Sequence, residues 1–420
     1  MRKILQRILK ILSKLVLKKY KPVIIAVTGS VGKTSTKEAI YHVLKTHWGE
    51  HRIRRNLRNY NNEIGVPLTI FGLETCGRSI FKWLIRFIKV FWMIIFRVPY
   101  PNFLVLEMGA DRPGDIKYLV DFVHPKVGLI TALGEIPVHV EFFKGPEQIA
   151  EEKKVLVSSL KDDEVAILNY DDEIVREMGK DIKAKVFTYG LEEKADIRAT
   201  NYDLRVDPDA KSSELNFKIE FKGSSVPAKL SNVLGNQHLY CALAAAGVGI
   251  VFNMNLIEIA EALKEFSPLP GRMRLLSGIK NSLIIDDTYN AALLSMEAAL
   301  ESLKIFADKR KVVVFGDMLE IGQYAPEAHR IVGKKAAEIA DLIFTVGTRA
   351  KFIAESAARA GFPQNKIFQF MTSDEAAKVV QKEMNEGDIV LVKGSRAMKM
   401  EKIVKEIMNE PEKAGDLLVN

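Results

Sequence analysis

A chain of 420 residues, 48% hydrophobic and 27% charged, is long enough for two domains with full cores. Its two cysteines, Cys76 and Cys241, exclude a disulfide framework and lack metal-cluster spacing, which suits a reducing cytoplasm. The formal net charge of +8 does not imply nucleic acid as a partner. Arg2, Lys3, Arg7, Lys10, Lys14, Lys18 and Lys19 stand in the first twenty residues without an acid, the other 400 residues carry 54 bases against 53 acids, and no nucleic-acid-binding motif is present.

Residues 1–20, MRKILQRILKILSKLVLKKY, have helical periodicity, with Ile4, Leu5, Ile8, Ile11, Leu12 and Leu15 on one side and the bases mostly on the other. Lys10 and Lys14 interrupt any apolar run and no small-residue cleavage site follows, so a signal peptide is not expected. A helix docked on the body and a helix lying on a membrane surface both remain open. An apolar strand then runs through Val23, Ile24, Ile25, Ala26 and Val27 into VTGSVGKTSTKEAIYHVL.

Strand, glycine-rich turn, Lys-Thr and helix form the context of a phosphate loop. Glycines at 29 and 32 let the backbone amides of Gly29, Ser30, Val31, Gly32, Thr34 and Ser35 approach phosphate, and the helix N-terminus adds positive potential. Lys33 can reach the outer phosphates and the Thr34 hydroxyl can bind Mg2+. The commonest form of the loop has glycine where this chain has Val27, and no N-K-x-D guanine-reading motif follows.

Residues 78–100, RSIFKWLIRFIKVFWMIIFRVPY, place Lys82, Arg86 and Lys89 at i, i+4 and i+7, with Arg97 near the same face. A spanning helix would bury three charges in its first half, so an in-plane amphipathic helix with Trp83 and Trp92 at the interface fits better. The alternative is a hairpin packed in the core or in a dimer interface. Two basic amphipathic segments in an otherwise neutral chain favour contact with an anionic membrane surface.

From 101 to 265 strands and helices alternate. FLVLEMG (103–109) and VGLITAL (127–133) read as buried parallel strands, and ELNFKIEF (214–221) as an antiparallel one. SPLPGR (267–272) marks a joint. KVVVFGD, DLIFTVG, KIFQF and DIVLVKGS then alternate with helical stretches. The expected fold is α/β: a basic helix over 1–20, a phosphate-loop domain over 21–268 and a Rossmann-like α/β domain over 269–420. The first domain has a mostly parallel sheet with a small antiparallel side sheet and carries an amphipathic insertion at 78–100.

The run TGSVGKTS (28–35) resembles the Mur ligase superfamily of ATP-dependent amide-forming enzymes. NYNNEIGVPLT (59–69), LEMGADRPGDI (106–116), HVEFF…EEKK (139–154), GRM (271–273), IDDTYNA (285–291), VFGDMLEIG (314–322) and LVKGSRAMKME (391–401) follow in the family's order. They most resemble the branch that adds D-Ala-D-Ala to a UDP-muramoyl tripeptide. The resemblance implies a cytoplasmic ligase of peptidoglycan precursor synthesis using ATP and Mg2+. It transfers the γ-phosphate to a cell-wall peptide carboxylate, and an amino acid or dipeptide amine then attacks the acyl phosphate.

The roles that follow are also implied by resemblance. Lys33, His139 and Lys153 would be catalytic. Thr34 and Glu107 would hold Mg2+, with His139 at a second Mg2+ and Lys153, or its neighbour Lys154, carbamylated into a metal-binding anion. Arg272 would meet phosphate on domain closure, and Asp287, Tyr289 and Asn290 the nucleotide. Asn59, Asn61 and Asn62 would face the acceptor; Lys393, Ser395 and Arg396 would bind the incoming dipeptide or its carboxylate. Asp317, Glu320 and His329 fit the GDMLE…H region.

Departures from the family pattern fall at Gln237, His238 and Cys241, and at Ala292 and Leu293 after DDTYNA. The loop begins at residue 28, so the usual N-terminal UDP-binding domain is expected to be missing or replaced by the amphipathic segments. Two alternatives stay open: a related ligase with another, lipid-linked acceptor, and a non-catalytic nucleotide-binding membrane scaffold. Folate-type relatives, with glycine where this chain has Thr34, fit less well.

Overall fold

The computed structural model describes residues 2–57, 60–77, 79–207 and 212–419. Strands β1 (Val23–Thr28), β2 (Ile53–Arg55), β3 (Phe103–Glu107), β4 (Val127–Ile130), β5 (Val165–Asn169), β6 (Lys185–Gly190), β7 (Ile197–Asp207), β8 (Ser212–Phe221) and β9 (Ser224–Ser231) form one sheet in the order β2-β3-β1-β4-β5-β6-β7-β8-β9. It is parallel as far as β7. Strands β7, β8 and β9 are antiparallel and continue the same sheet at its edge.

The second sheet contains β10 (Arg274–Ser277), β11 (Leu283–Asp287), β12 (Lys311–Gly316), β13 (Leu342–Val346), β14 (Ile367–Phe370) and β15 (Ile389–Lys393), in the order β10-β11-β15-β12-β13-β14. Only the β10–β11 pair is antiparallel.

The buried apolar runs of β1, β3 and β4 follow from helices covering both faces. Ile25, Val27, Val105 and Leu129 pack with residues of helices Lys33–Trp48 and Gln237–Val251. Ile24, Ala26, Leu104 and Leu106 pack on the opposite face with Leu119 and Phe122 of helix Asp115–Val123. Strand β1 lies between β3 and β4, with Val27 level with Glu107 on one side and Leu129 on the other. Connections therefore leave to both sides at the C-terminal end of β1, the place where open α/β sheets bind ligands. The phosphate loop, Glu107 and Thr131 all emerge there.

The N-terminal segment is helix Arg2–Tyr20, docked through Leu9, Leu12 and Val16. Its expected apolar side is divided: Leu12 is buried and Leu5 partly so, whereas Ile4, Ile8, Ile11 and Leu15 are exposed. The row that docks is 5, 9, 12 and 16, because this helix is apolar over more than one stripe. Helix Ile80–Ile95 packs beside it through Val90 and Phe87. Trp83 turns inward and its indole N–H donates to the Gly77 carbonyl, while Trp92 faces outward. Only one of the two tryptophans expected at an interface is thus available for it. No described helix is long and apolar enough to cross a membrane.

Candidate active site

A cavity of about 1470 Å3 opens between the two sheets, lined by the phosphate loop, Asn61, Asn62, Glu107 and His139 from the first and Arg272, Asp287, Tyr289, Asn290, Lys393, Ser395 and Arg396 from the second. Asn59 lies outside the described residues.

The loop needs glycine at its two ends. Gly29 has φ +142° and Gly32 φ +86°, and a Cβ at Gly29 would collide with Thr131 Oγ1. Gly29→Ala is therefore expected to remove nucleotide binding, read by titration of ATP, while Gly114→Ala, which also has positive φ but open space around it, leaves affinity unchanged. The Ser30 and Val31 amides donate to the Ala132 carbonyl at 2.8 and 3.1 Å, and so shape the loop. The amides at the start of helix Lys33–Trp48 remain for phosphate.

Lys33 Nζ folds back onto the Gly29 and Ser30 carbonyls at 2.8 and 3.2 Å. Burial lowers its pKa, Glu107 opposes the shift, and Arg272 adds to it.

Glu107, only 3% exposed, accepts from Thr34 Oγ1 at 2.9 Å and Asn61 Nδ2 at 3.1 Å, with Lys37 Nζ 3.8 Å away. Burial works against this carboxylate, but Lys37, Lys33 and Arg272 outweigh it and hold its pKa below the usual range. The ionised oxygens beside the Thr34 hydroxyl are hard donors, the set Mg2+ takes together with nucleotide phosphates and water. No three His, Cys, Asp or Glu side chains form a self-sufficient metal cage among the described residues.

Lys153 stands behind the loop, 1% exposed, with Nζ donating to the Gly29 carbonyl at 3.0 Å. Burial, then the neighbouring Lys33 charge, pushes its pKa well down. Lys154, by contrast, is half-buried at the next helical position. His139 takes a left-handed backbone (φ 72°), and its Nδ1 lies 3.1 Å from Glu320 Oε2. Nε2 lies 3.9 Å from Asp111 Oδ1. Glu320 belongs to the second half of the chain, so this pair bridges the cleft, and His139 holds the Glu320 pKa down.

Arg272 follows Gly271 at the joint and stacks over Tyr289 at 4.0 Å. Its Nε is buried without a hydrogen-bond partner, as expected of a guanidinium set for an anion. Asp286 anchors the joint by accepting from the Gly271 amide and from Thr288; burial raises its pKa to about 6. Asp287 accepts from the Met273 amide and, at 2.5 Å, from Lys393 Nζ, which also donates to the Asn290 carbonyl. Lys393 is thus spent on holding the Asp287–Asn290 turn.

Ser395 Oγ accepts from the Leu319 amide, whereas Arg396 is half-buried on the cavity, with its Nη1 paired with Glu401 at 3.0 Å. Asn62 Oδ1 accepts from the Ile64 and Gly65 amides and shapes the start of helix Gly65–Phe71. Asp317 ties down the Arg349 and Ala350 amides.

His329 is fully buried, accepting from the Met318 amide at Nε2 and facing the Ala325 carbonyl with Nδ1. The ring is therefore neutral with its proton on Nδ1, and burial lowers its pKa to about 4. An unfolded histidine titrates near 6.5, so the unfolded chain binds the extra proton first and stability falls as pH drops from about 6.5 toward 4. Between pH 7 and 5 this group is expected to cost about 2 kcal/mol. Urea unfolding at the two pH values, compared with His329→Gln, checks it: the variant should lose that slope.

Several contributors carry no sequence signal of their own. Asn56 is fully buried and accepts from the Glu107 amide through Oδ1, while Lys37 Nζ donates to its carbonyl. Glu152 accepts from the Gly114 and Ile116 amides, both at 2.7 Å. The departing residues His238 and Cys241 are buried in the cavity wall; His238 has two unpartnered ring nitrogens and a pKa lowered by burial to about 4.

A phosphate loop beside a buried carboxylate, facing an arginine from the second α/β sheet across one cavity, makes a nucleotide-binding cleft between two domains. The Mur ligase middle-domain model matches residues 27–81 and 94–249, and the Mur ligase glutamate ligase domain model matches 271–396. The chain belongs to the Mur ligase family.

The UDP-N-acetylmuramoyl-tripeptide--D-alanyl-D-alanine ligase of Bacillus subtilis (strain 168) is 30% identical over 392 residues, covering 92% of this chain and 76% of that protein. MurF from Acinetobacter baumannii superposes with a TM-score of 0.77 at 26% identity, covering 95% of this chain and 79% of the other. The MurF ligase of Thermotoga maritima in complex with ADP also gives 0.77, at 25% identity, covering 97% and 84%. The chain is accordingly an ATP-dependent, ADP-forming ligase of the peptidoglycan-synthesis type.

Proposed function

We propose that the chain joins D-Ala-D-Ala, or a similar amine, to the terminal carboxylate of a UDP-muramoyl tripeptide at the expense of ATP. The observation that carries this reading is the meeting of Lys33, Glu107 and Arg272 in one cavity, where two anions have to approach each other. Thr34 and Glu107 would hold Mg2+, which would supply charge neutralisation at the phosphates.

Lys33 swings from the loop carbonyls to the outer phosphate, and Arg272 meets that phosphate from the opposite domain as the cleft closes. The acceptor carboxylate attacks the γ-phosphorus and ADP leaves; the amine then attacks the acyl phosphate, the carboxylate oxygen leaves with phosphate, and the nitrogen gives up a proton. His139, whose Nδ1 lies 3.1 Å from Glu320, is the residue that would hold a second Mg2+, which would add further charge neutralisation.

Lys153, whose burial disfavours the ammonium, takes up CO2 as a carbamate with release of a proton and becomes an anion behind the loop. Intact-mass measurement at raised bicarbonate is expected to show one added CO2 in wild type and none in Lys153→Gln.

Arg396 receives the carboxylate of the incoming dipeptide. Arg396→Ala is expected to raise KM for the dipeptide about ten- to a hundredfold, the worth of one charged hydrogen bond, with the KM for ATP unchanged. Asn61 and Asn62 position the acceptor, with Asn59 in the same loop. The protein works in the cytoplasm, as a peripheral protein at the inner face of an anionic membrane.

Mass analysis after incubation with ATP, Mg2+, UDP-muramoyl tripeptide and D-Ala-D-Ala tests the reading. One amide product per ADP is expected; amide formation only with other acceptors from a carboxylate panel would overturn the substrate assignment.

A further inference from the structure

Among the segments outside the family matches are 1–26 and 82–93, which hold the first basic amphipathic helix and most of the second. Neither segment contributes a side chain to the ligase cavity. The two helices nevertheless pack together: Lys19 Nζ donates to the Met93 and Ile94 carbonyls, both at 3.0 Å, and to the Phe96 carbonyl, while the Tyr20 hydroxyl donates to the Met93 carbonyl.

Each keeps a large apolar stripe facing away from the body. On Arg2–Tyr20 it is Ile4, Ile8, Ile11 and Leu15, at i, i+4, i+7 and i+11, with Ile4 63% exposed. On Ile80–Ile95 it includes Phe81 at 72%, Ile88 at 59%, Trp92 at 57% and Ile95 at 69%. An apolar stretch of this kind on a soluble chain marks an interaction surface.

The charge beside it is of one sign. Lys3, Arg7, Lys14 and Lys18 are exposed along the first helix, and Lys82, Lys89 and Arg97 along or just beyond the second. Neither 1–20 nor 78–100 contains a single acid. A second copy docking by two-fold symmetry would bring two cationic rims together. An anionic lipid surface instead neutralises the rim while its acyl boundary takes the apolar stripes. The charges forbid a span, and a helix lying in the interface plane needs none.

We propose that helices Arg2–Tyr20 and Ile80–Ile95 form one membrane-inserting platform, which binds an anionic bilayer by burying both apolar stripes and not by charge alone. The proposal rests on the reading of the chain as a peripheral protein, and it names the surface and the mode of contact. Gln6, on the docked side of the first helix, bonds Glu63 at 2.6 Å, one residue from the cavity-lining Asn62. The platform therefore adjoins the acceptor side of the cleft and holds that side near the lipid.

The test is co-sedimentation of the full chain with vesicles of phosphatidylcholine, with and without phosphatidylglycerol, at low and high salt. Wild type is expected to bind the anionic vesicles, with a blue shift of tryptophan emission. The paired variant Ile88→Asn/Trp92→Asn, which leaves the net charge unchanged, should lose at least about tenfold in partition, and Lys82→Glu/Lys89→Glu a similar amount at low salt. Unaltered thermal unfolding and unaltered ligase turnover with a soluble acceptor show that the variants are folded.

If the apolar variant binds as wild type does while the charge variant does not, the platform is overturned and a purely electrostatic peripheral contact stands. Failure of wild type to bind either vesicle, with turnover intact, overturns platform and peripheral placement together but leaves the ligase. A wild-type dimer that Ile88→Asn/Trp92→Asn makes monomeric assigns the face to a second copy and overturns the proposal.

Discussion

Lys33→Ala is expected to lower ADP release about a thousandfold, the loss that follows removal of one preorganised charge from a water-poor site. Lys33 is the cation nearest the loop's own backbone, since its ammonium rests on the Gly29 and Ser30 carbonyls. Nothing nearby replaces it: Lys153 is turned to the same Gly29 carbonyl from behind, and Lys37 is committed to Asn56 and Glu38. Stability should barely change, because burial already disfavours the charged Lys33 and Glu107 keeps Lys37 as its counter-ion. Lys33→Arg should not rescue turnover, since a planar guanidinium does not fit a site that grips a compact ammonium. Steady-state ADP release and thermal unfolding, measured together, separate the chemical loss from misfolding.

The second large effect falls on stability. Lys393 is 2% exposed and paired at 2.5 Å with Asp287, itself buried. Lys393→Met leaves that carboxylate without its cation and frees the Asn290 carbonyl, and breaking a buried pair from one side costs about 3–5 kcal/mol. Denaturant unfolding should show this loss in the variant, and Asp287→Asn combined with Lys393→Met should recover a large part of it. The same pair fixes the turn bearing Tyr289, on which Arg272 stacks, so activity should fall with stability and return only in part. A residue expected to bind substrate thus acts chiefly as the support of its neighbours.

Much of the fold is legible in the sequence because the physics is local. Strand β1, five apolar residues ending in a glycine turn, and Glu107, at the end of an equally apolar run, announce a strand end where a loop and a carboxylate can meet. The two lysines at 153 and 154 have apolar residues at the same helical offsets, and only the fold separates them, burying the first. Ile149 and Leu156, four before and three after Lys153, share its buried side.

The rest depends on distant partners. Which apolar stripe of Arg2–Tyr20 docks is decided by Val66, Ile70 and Phe122, far along the chain. Asn56 and Lys37 look like ordinary polar residues until the β3 backbone passes beside them. Lys393 and Arg396, three residues apart, share one expected role in the motif, yet Lys393 is 2% exposed and held by Asp287 and the Asn290 carbonyl, while Arg396 is half-buried beside Glu401.

The central claim is that two mutually repelling anions, a peptide carboxylate and the γ-phosphate, are brought to reaction between the Lys33 loop and Arg272. It is tested most directly by labelling the acceptor carboxylate with heavy oxygen and following the label during turnover with ATP and D-Ala-D-Ala. An acyl phosphate requires one labelled oxygen to appear in the released phosphate for each amide formed. Amide formed with unlabelled phosphate, or ATP cleaved with no amide at all, would contradict the account.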